Sequence, residues 1–94
     1  KDNYLMQYKI IVSGKVQGVS FRYYTQKQAQ KLGLVGYVKN QVDGSVKIIA
    51  QGEKPNLDKL KNWCFSGSPY SSVKNVECIS INESEQFSSF KISY

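Results

Sequence analysis

The order in which the hydrophobic periodicity changes along this chain constrains its fold more than any other feature. Tyr8, Ile10 and Val12 alternate with Lys9, Ile11 and Ser13, the two-residue repeat of a strand. Past Gly14 and Gly18 the spacing becomes helical over 21–32, with Ser20 placed to cap and Gly33 to stop the helix. Phe21, Tyr24, Gln28 or Ala29, and Leu32 then share one face. Alternation returns in a second strand over 35–39 and a third that sets Val46, Ile48 and Ala50 against Lys47 and Gln51. Between them, 40–44 carries the Asp43-Gly44 hairpin signal.

Gly52 interrupts that pattern, and Pro55 suits the first turn of a second helix. Leu57, Leu60 and Cys64 form its buried stripe, Trp63 widens it, and Gly67 ends it. A polar turn over 68–72 leads to a fourth strand at 76–81, in which Val76, Cys78 and Ser80 share a face. Phe90, Ile92 and Tyr94 mark a short last strand. The order is β-α-β-β-α-β with an extra strand at the end. It predicts an α+β, ferredoxin-like sandwich: an antiparallel sheet with two helices on one face.

Ninety-four residues suffice for one core, so 1–94 is expected to be a single domain, with about 1–6 as a flexible N-terminal extension. No apolar run approaches the roughly 20 residues needed to span a bilayer, and a soluble, cytoplasmic monomer is the expectation. Cys64 and Cys78 form no disulfide framework and read as small buried thiols. The net charge of +6 invites a nucleic-acid reading, which the lysine distribution weakens. Lys27 and Lys31 fall on one predicted helix, Lys54, Lys59 and Lys61 on the other, and the rest singly along strands. Solvated faces that attract small anions fit this spread better than a nucleic-acid stripe.

Several chemistries are excluded outright. Without histidine there is no Ser-His or Cys-His nucleophile pair and no usual zinc site. Gly14-Lys15 is followed by Val16, so there is no nucleotide P-loop. The carboxylates are scattered, which argues against a paired-carboxylate or two-metal site. What stands out is Arg22, the only arginine among 13 basic residues. It lies at a predicted helix start, directly after a glycine-containing turn. Helix N-termini present free N–H groups and a positive dipole end, and a guanidinium adds a planar fork that grips two oxygens. This is a phosphate cradle without a metal or a strong base.

Gly14-x-Val16-Gln17-Gly18-Val19-x-Phe21-Arg22 resembles the first signature of the acylphosphatase family, in its common, bacterial-type form. Gly36-Tyr37-Val38-Lys39-Asn40, followed by Gly44, Val46 and Gly52, resembles the second. The similarity runs through Gly67-Ser68-Pro69 and Val73 to Phe90-x-Ile92-x-Tyr94 and covers nearly the whole chain. The resemblance implies hydrolysis of the carboxyl–phosphate bond of acyl phosphates. It implies that Arg22 and the backbone amides of Lys15, Val16, Gln17, Gly18 and Val19 hold the phosphoryl group, and that Asn40 orients the attacking water. It also implies no metal, no cofactor and no phosphoenzyme. The expected partners are acyl phosphates and inorganic phosphate, with no nucleic acid and no membrane. Gln41 departs from the Thr or Leu of many relatives, which bears on fine placement of the water.

Each of these residues also has a plainer reading. Asn40 precedes a hairpin, where asparagine serves local backbone needs. Ser20 is first a helix cap, Lys15 a solvated cation that steers anions, and Gly18 a turn glycine. Two other functions remain open. One is a non-catalytic module binding phosphate or carbamoyl phosphate. The other is an RNA-binding domain of the same fold, which requires Tyr8, Tyr37 and Phe90 on the open sheet face.

Overall fold

The computed structural model describes residues 6–82 and 85–94. Strand β1 (Met6–Lys15) is followed by helix α1 (Phe21–Lys31), strands β2 (Val35–Asn40) and β3 (Val46–Gly52), helix α2 (Lys54–Cys64), and strands β4 (Ser72–Ser80) and β5 (Phe90–Ser93). The sheet order is β4-β1-β3-β2-β5. The first four strands form the antiparallel ferredoxin-like sheet that the periodicity predicts. The added strand β5 pairs with β2 in parallel, Val38 opposite Ile92, so the sheet as a whole is mixed. The parallel direction is a matter of connection. From the far edge of the sheet, the chain returns along 85–89 beneath the face opposite the helices. Gln51 Nε2 donates to Glu85 O at 3.0 Å, and Phe87 meets Tyr37 edge-on at 6.0 Å.

The core lies between the sheet and the two helices. Ile10, Val12, Val38, Val46 and Ile48 project from the sheet and are fully buried, as are Leu57, Leu60 and Cys64 from α2. Burying each aliphatic side chain of this kind stabilises the fold by about 1.5–3 kcal/mol. Tyr8 Oη donates to Asp58 Oδ1 at 2.6 Å, which ties α2 to β1, and within the helix Lys54 Nζ donates to Asp58 Oδ2 at 2.8 Å. Both cysteines are free. Burial pushes the Cys64 thiol far up, and the half-buried Cys78 in the same direction.

Four details differ from the sequence reading. Met6 is the first residue of β1, paired with Gly52, and Gly52 accordingly closes β3. The remainder of the expected extension, residues 1–5, lies outside the described residues. The buried face of α1 is Phe21, Thr25 and Ala29, while Tyr24 and Gln28 are half-buried. Thr25 is tolerated there because its Oγ1 donates to Phe21 O at 2.8 Å, leaving only methyl surface for the core. Strand β4 begins at Ser72 rather than 76, since a bulge at Ser13/Gly14 lets Lys15 pair with Ser72. Finally, Ser20 stands at the N-cap position in left-handed conformation, φ 63°, and its side chain makes no capping bond. A capping oxygen reaches the first-turn amides from extended backbone, which Ser20 does not have.

Gly36 shows why one glycine of the second signature is needed. Its φ is 139°, and a Cβ there would be driven into the Ile49 carbonyl of the neighbouring strand. At this point β2 and β3 approach too closely for a side chain.

Candidate active site

At one end of the sheet, four segments converge: the 16–20 loop after β1, the first turn of α1, the end of β2 and the end of β5. The loop is held from below. Val16 and Val19 bury their side chains, at 1% and 9% exposure, so the backbone between them stays at the surface. Ser68, 3% exposed, donates its Oγ to Val19 O at 2.8 Å and pins the loop to the turn after α2. Phe21 is buried against Trp63, ring centroids 5.5 Å apart, and fixes the helix that begins there.

The loop backbone alternates in hand. Gly18 and Ser20 have φ of 74° and 63°, and the residues beside them are right-handed or extended. A Cβ at Gly18 would meet nothing within 4 Å, so glycine serves the dihedral angle there and not the space. Alternation of this kind turns successive N–H groups toward one concave point, a nest for an anion. Among the described residues, none of the amides of 17–20 donates to another backbone carbonyl. The free first-turn amides of α1 follow directly. Of the expected cradle residues, 16–19 form this loop, and Lys15 is the exposed last residue of β1.

Arg22 sits in the first turn of α1, half-buried. Its Nη1 donates to Ser93 O at 3.3 Å, and its guanidinium carbon lies 4.7 Å from the centroid of the Tyr94 ring. Asn40 ends β2 opposite Val46. Its Oδ1 is enclosed and has no hydrogen-bond partner among the described residues. Buried acceptors are nearly always satisfied, so an orphan at this end of the sheet is suited to a donor from a ligand or water. Asp43 Oδ1 accepts from Ser45 N at 3.0 Å and Ser45 Oγ at 2.6 Å, which shapes the turn after Asn40. These two bonds hold the Asp43 carboxyl below its ordinary range.

Among the supports of this site that sequence reasoning missed are Ser68 and Tyr94. Ser68 stands in the polar turn and in the matched Gly67-Ser68-Pro69 run, and nothing local signals that its hydroxyl faces a loop 49 positions away. Tyr94 was placed in a strand pattern, yet its ring covers the guanidinium. Among the described residues, no group of three His, Cys, Asp or Glu side chains is placed to hold a metal.

The aromatic residues needed for an RNA platform are not assembled. Tyr8 and Phe90 are buried on the helix side at 6% and 2% exposure, leaving Tyr37. The strand lysines, however, do not fall singly. Register puts Lys39 opposite Lys47 and Tyr37 opposite both Lys91 and Ile49, so Lys39, Lys47 and Lys91 share the face away from the helices with Lys9. A groove of about 530 Å³ lies between Tyr37, Lys39, Phe87, Lys91 and Ser93 at the β5 edge. It does not contain the cradle amides, whose open loop suits a small anion and not an enclosed ligand.

The fold and this end of the sheet define a ferredoxin-like α+β protein in which a loop of free amides leads into the helix that carries Arg22. The acylphosphatase family model matches residues 8–92, and the chain belongs to the acylphosphatase family as an enzyme. It is 53% identical over 76 residues to an acylphosphatase of Shewanella amazonensis, covering 81% of this chain and 80% of that one. The crystal structure of acylphosphatase from Bacillus subtilis superposes with a TM-score of 0.91 at 42% identity, covering 95% of this chain and 99% of that chain. Full-length HypF in its phosphate- and nucleotide-bound form superposes with a TM-score of 0.88 at 25% identity; all of this chain matches 12% of HypF. No helix among the described residues is long and apolar enough to cross a membrane.

Proposed function

We propose that the protein hydrolyses acyl phosphates by direct attack of a water held by Asn40 on a phosphoryl group held by Arg22 and the backbone amides of residues 15–19. The observation that carries this reading is the pairing of a loop of unpartnered amides with the orphaned Asn40 acceptor at the same end of the sheet. The amides and guanidinium neutralise charge on the phosphoryl oxygens, which is the main demand of phosphoryl transfer. Asn40 Oδ1 accepts a hydrogen bond from the water and aims its lone pair at phosphorus. The new P–O bond forms as the bond to the acyl oxygen breaks, and the carboxylate leaves with that electron pair. The proton of the attacking water passes to a phosphoryl oxygen, giving carboxylate and inorganic phosphate.

The chemistry explains why a site without histidine suffices. The conjugate acid of a carboxylate leaving group has a pKa of roughly 4, so it departs unprotonated at neutral pH. An alkoxide from a phosphate monoester needs a general acid, and such esters are poor substrates under this reading. The protein acts as a cytoplasmic monomer without metal or cofactor. The test is hydrolysis of benzoyl phosphate with chelator present, beside a simple alkyl phosphate. Chelator-resistant turnover of the first alone is the expected result; efficient turnover of the second would overturn the mechanism.

The reading as a non-catalytic module finds some support in the likeness to HypF, of which the chain matches 12%. The higher identities to acylphosphatases, over most of their length, favour the enzyme.

A further inference from the structure

The Gln17 side chain does not face the cradle to which its backbone belongs. Its Nε2 donates both hydrogens across to the β2–β3 hairpin, to Gln41 O and to Ser45 O, each at 2.8 Å. Those two carbonyls stand at the two ends of the turn, already joined by Gln41 N donating to Ser45 O at 2.8 Å and Gly44 N to Gln41 O at 3.2 Å. One amide therefore spans the mouth of the hairpin on which Asn40 is the preceding residue. Within the turn, Ser45 also donates to the Asp43 carboxylate, but residues 42–44 are exposed and no other segment among the described residues packs over them.

We infer that Gln17 is a positioning residue: it fixes the distance and angle between the phosphoryl cradle and Asn40. The inference rests on the reading of Asn40 as the holder of the attacking water. One residue then serves both halves of the reaction, its main chain lining the nest and its side chain gripping the hairpin. A primary amide is the side chain this requires, because two acceptors must be met by two donors on one atom. Glutamate of the same length offers none when ionised, and its charge opposes both carbonyls. The contact uses only the backbone of residue 41, so it is indifferent to the departure of Gln41 from the Thr or Leu of relatives.

The consequence for the reaction is specific. Loss of the tie leaves the amides and Arg22 in place but lets Asn40 drift. A misplacement near 1 Å costs about 100-fold in rate, so a partial release is expected to lower kcat by about 10- to 100-fold. Inhibition by inorganic phosphate, which reports the cradle, is expected to change by less than about threefold, within the scatter of a lost surface contact.

The experiment is a cycle with Gln17→Met, Asn40→Ala and the double variant, measuring kcat on benzoyl phosphate, inhibition by inorganic phosphate, and thermal unfolding. Gln17→Met is expected to lower kcat in the parent and to have little further effect in Asn40→Ala, because the tie acts through Asn40. Equal kcat losses in both backgrounds, or a loss of phosphate inhibition equal to the loss of kcat, would overturn the inference. Should Asn40→Ala itself keep full activity, the reading of Asn40 fails, a result independent of the Gln17 arm. Gln17→Glu supplies a second test in a variant of the same shape. Its kcat relative to the parent is expected to climb part of the way as pH falls and the carboxyl gains one donor for the two carbonyls; a flat ratio would count against the tie.

Discussion

The Arg22 guanidinium lies against the face of Tyr94, 4.7 Å from the ring centroid, while its Nη1 reaches Ser93 O. The side chain is thus held by β5 and not by a carboxylate. No acidic partner competes with an anionic ligand for the guanidinium among the described residues. A carboxylate would have offset the charge that a phosphoryl group requires, whereas a ring and a carbonyl orient the fork without compensating its charge.

Tyr94→Leu is therefore expected to loosen Arg22 without removing it. An exposed cation–π contact is worth about 0.5–1 kcal/mol, so inhibition by inorganic phosphate should weaken about two- to fivefold. A phosphate titration of the variant, with the fold monitored by circular dichroism, checks this.

Arg22 and Asn40 should separate cleanly. Arg22→Ala is expected to lose phosphate inhibition and, as for removal of one charge-stabilising donor, about 100- to 1,000-fold in turnover. Arg22→Lys should recover little, because a point charge does not reproduce the fork. Asn40→Ala should keep phosphate inhibition while losing turnover. Steady-state kinetics with phosphate as competitor distinguishes the two patterns.

Ser68→Ala is expected to destabilise the protein by about 1–3 kcal/mol, the cost of stranding a buried carbonyl, here that of Val19. Because that carbonyl is part of the loop proposed to hold phosphate, phosphate affinity should fall as well. Urea unfolding and phosphate titration measure the two effects.

The turn after Asn40 carries a pH dependence of defined sign. The Asp43 carboxyl is lowered from its ordinary value of 3.8 by the two bonds it accepts from Ser45. Its contribution to stability is fully present above that value and is lost as pH falls through the depressed folded value. Acid unfolding of Asp43→Asn should be less steep below pH 3.8 than that of the parent. A midpoint series between pH 2 and 5 tests this.

Much of the fold was legible because strands and helices differ in period. Ile10, Val12, Leu57, Leu60 and Cys64 are buried as their spacing predicts. Thr25 was missed because a hydroxyl satisfied within its own helix looks polar in sequence. The parallel pairing of β5 with β2 was missed because it depends on where a connection runs, and periodicity carries no direction. Residues 16–19, Arg22 and Asn40 were legible as a motif. Their supports at Ser68, Gln41, Ser45 and Tyr94 were not, since each acts through a contact between distant segments.

That parallel pairing has a kinetic meaning. Strand β5 can join β2 only by closing a loop that contains β3, α2 and β4. Late, entropically costly closures of this kind slow folding. Arg22 acquires its ring and carbonyl only at that moment. A refolding chain should bury Trp63 beside Phe21 before the arginine is fully restrained. Catalytic competence is then among the last properties to mature, and regain of activity reports the completed topology better than regain of helix.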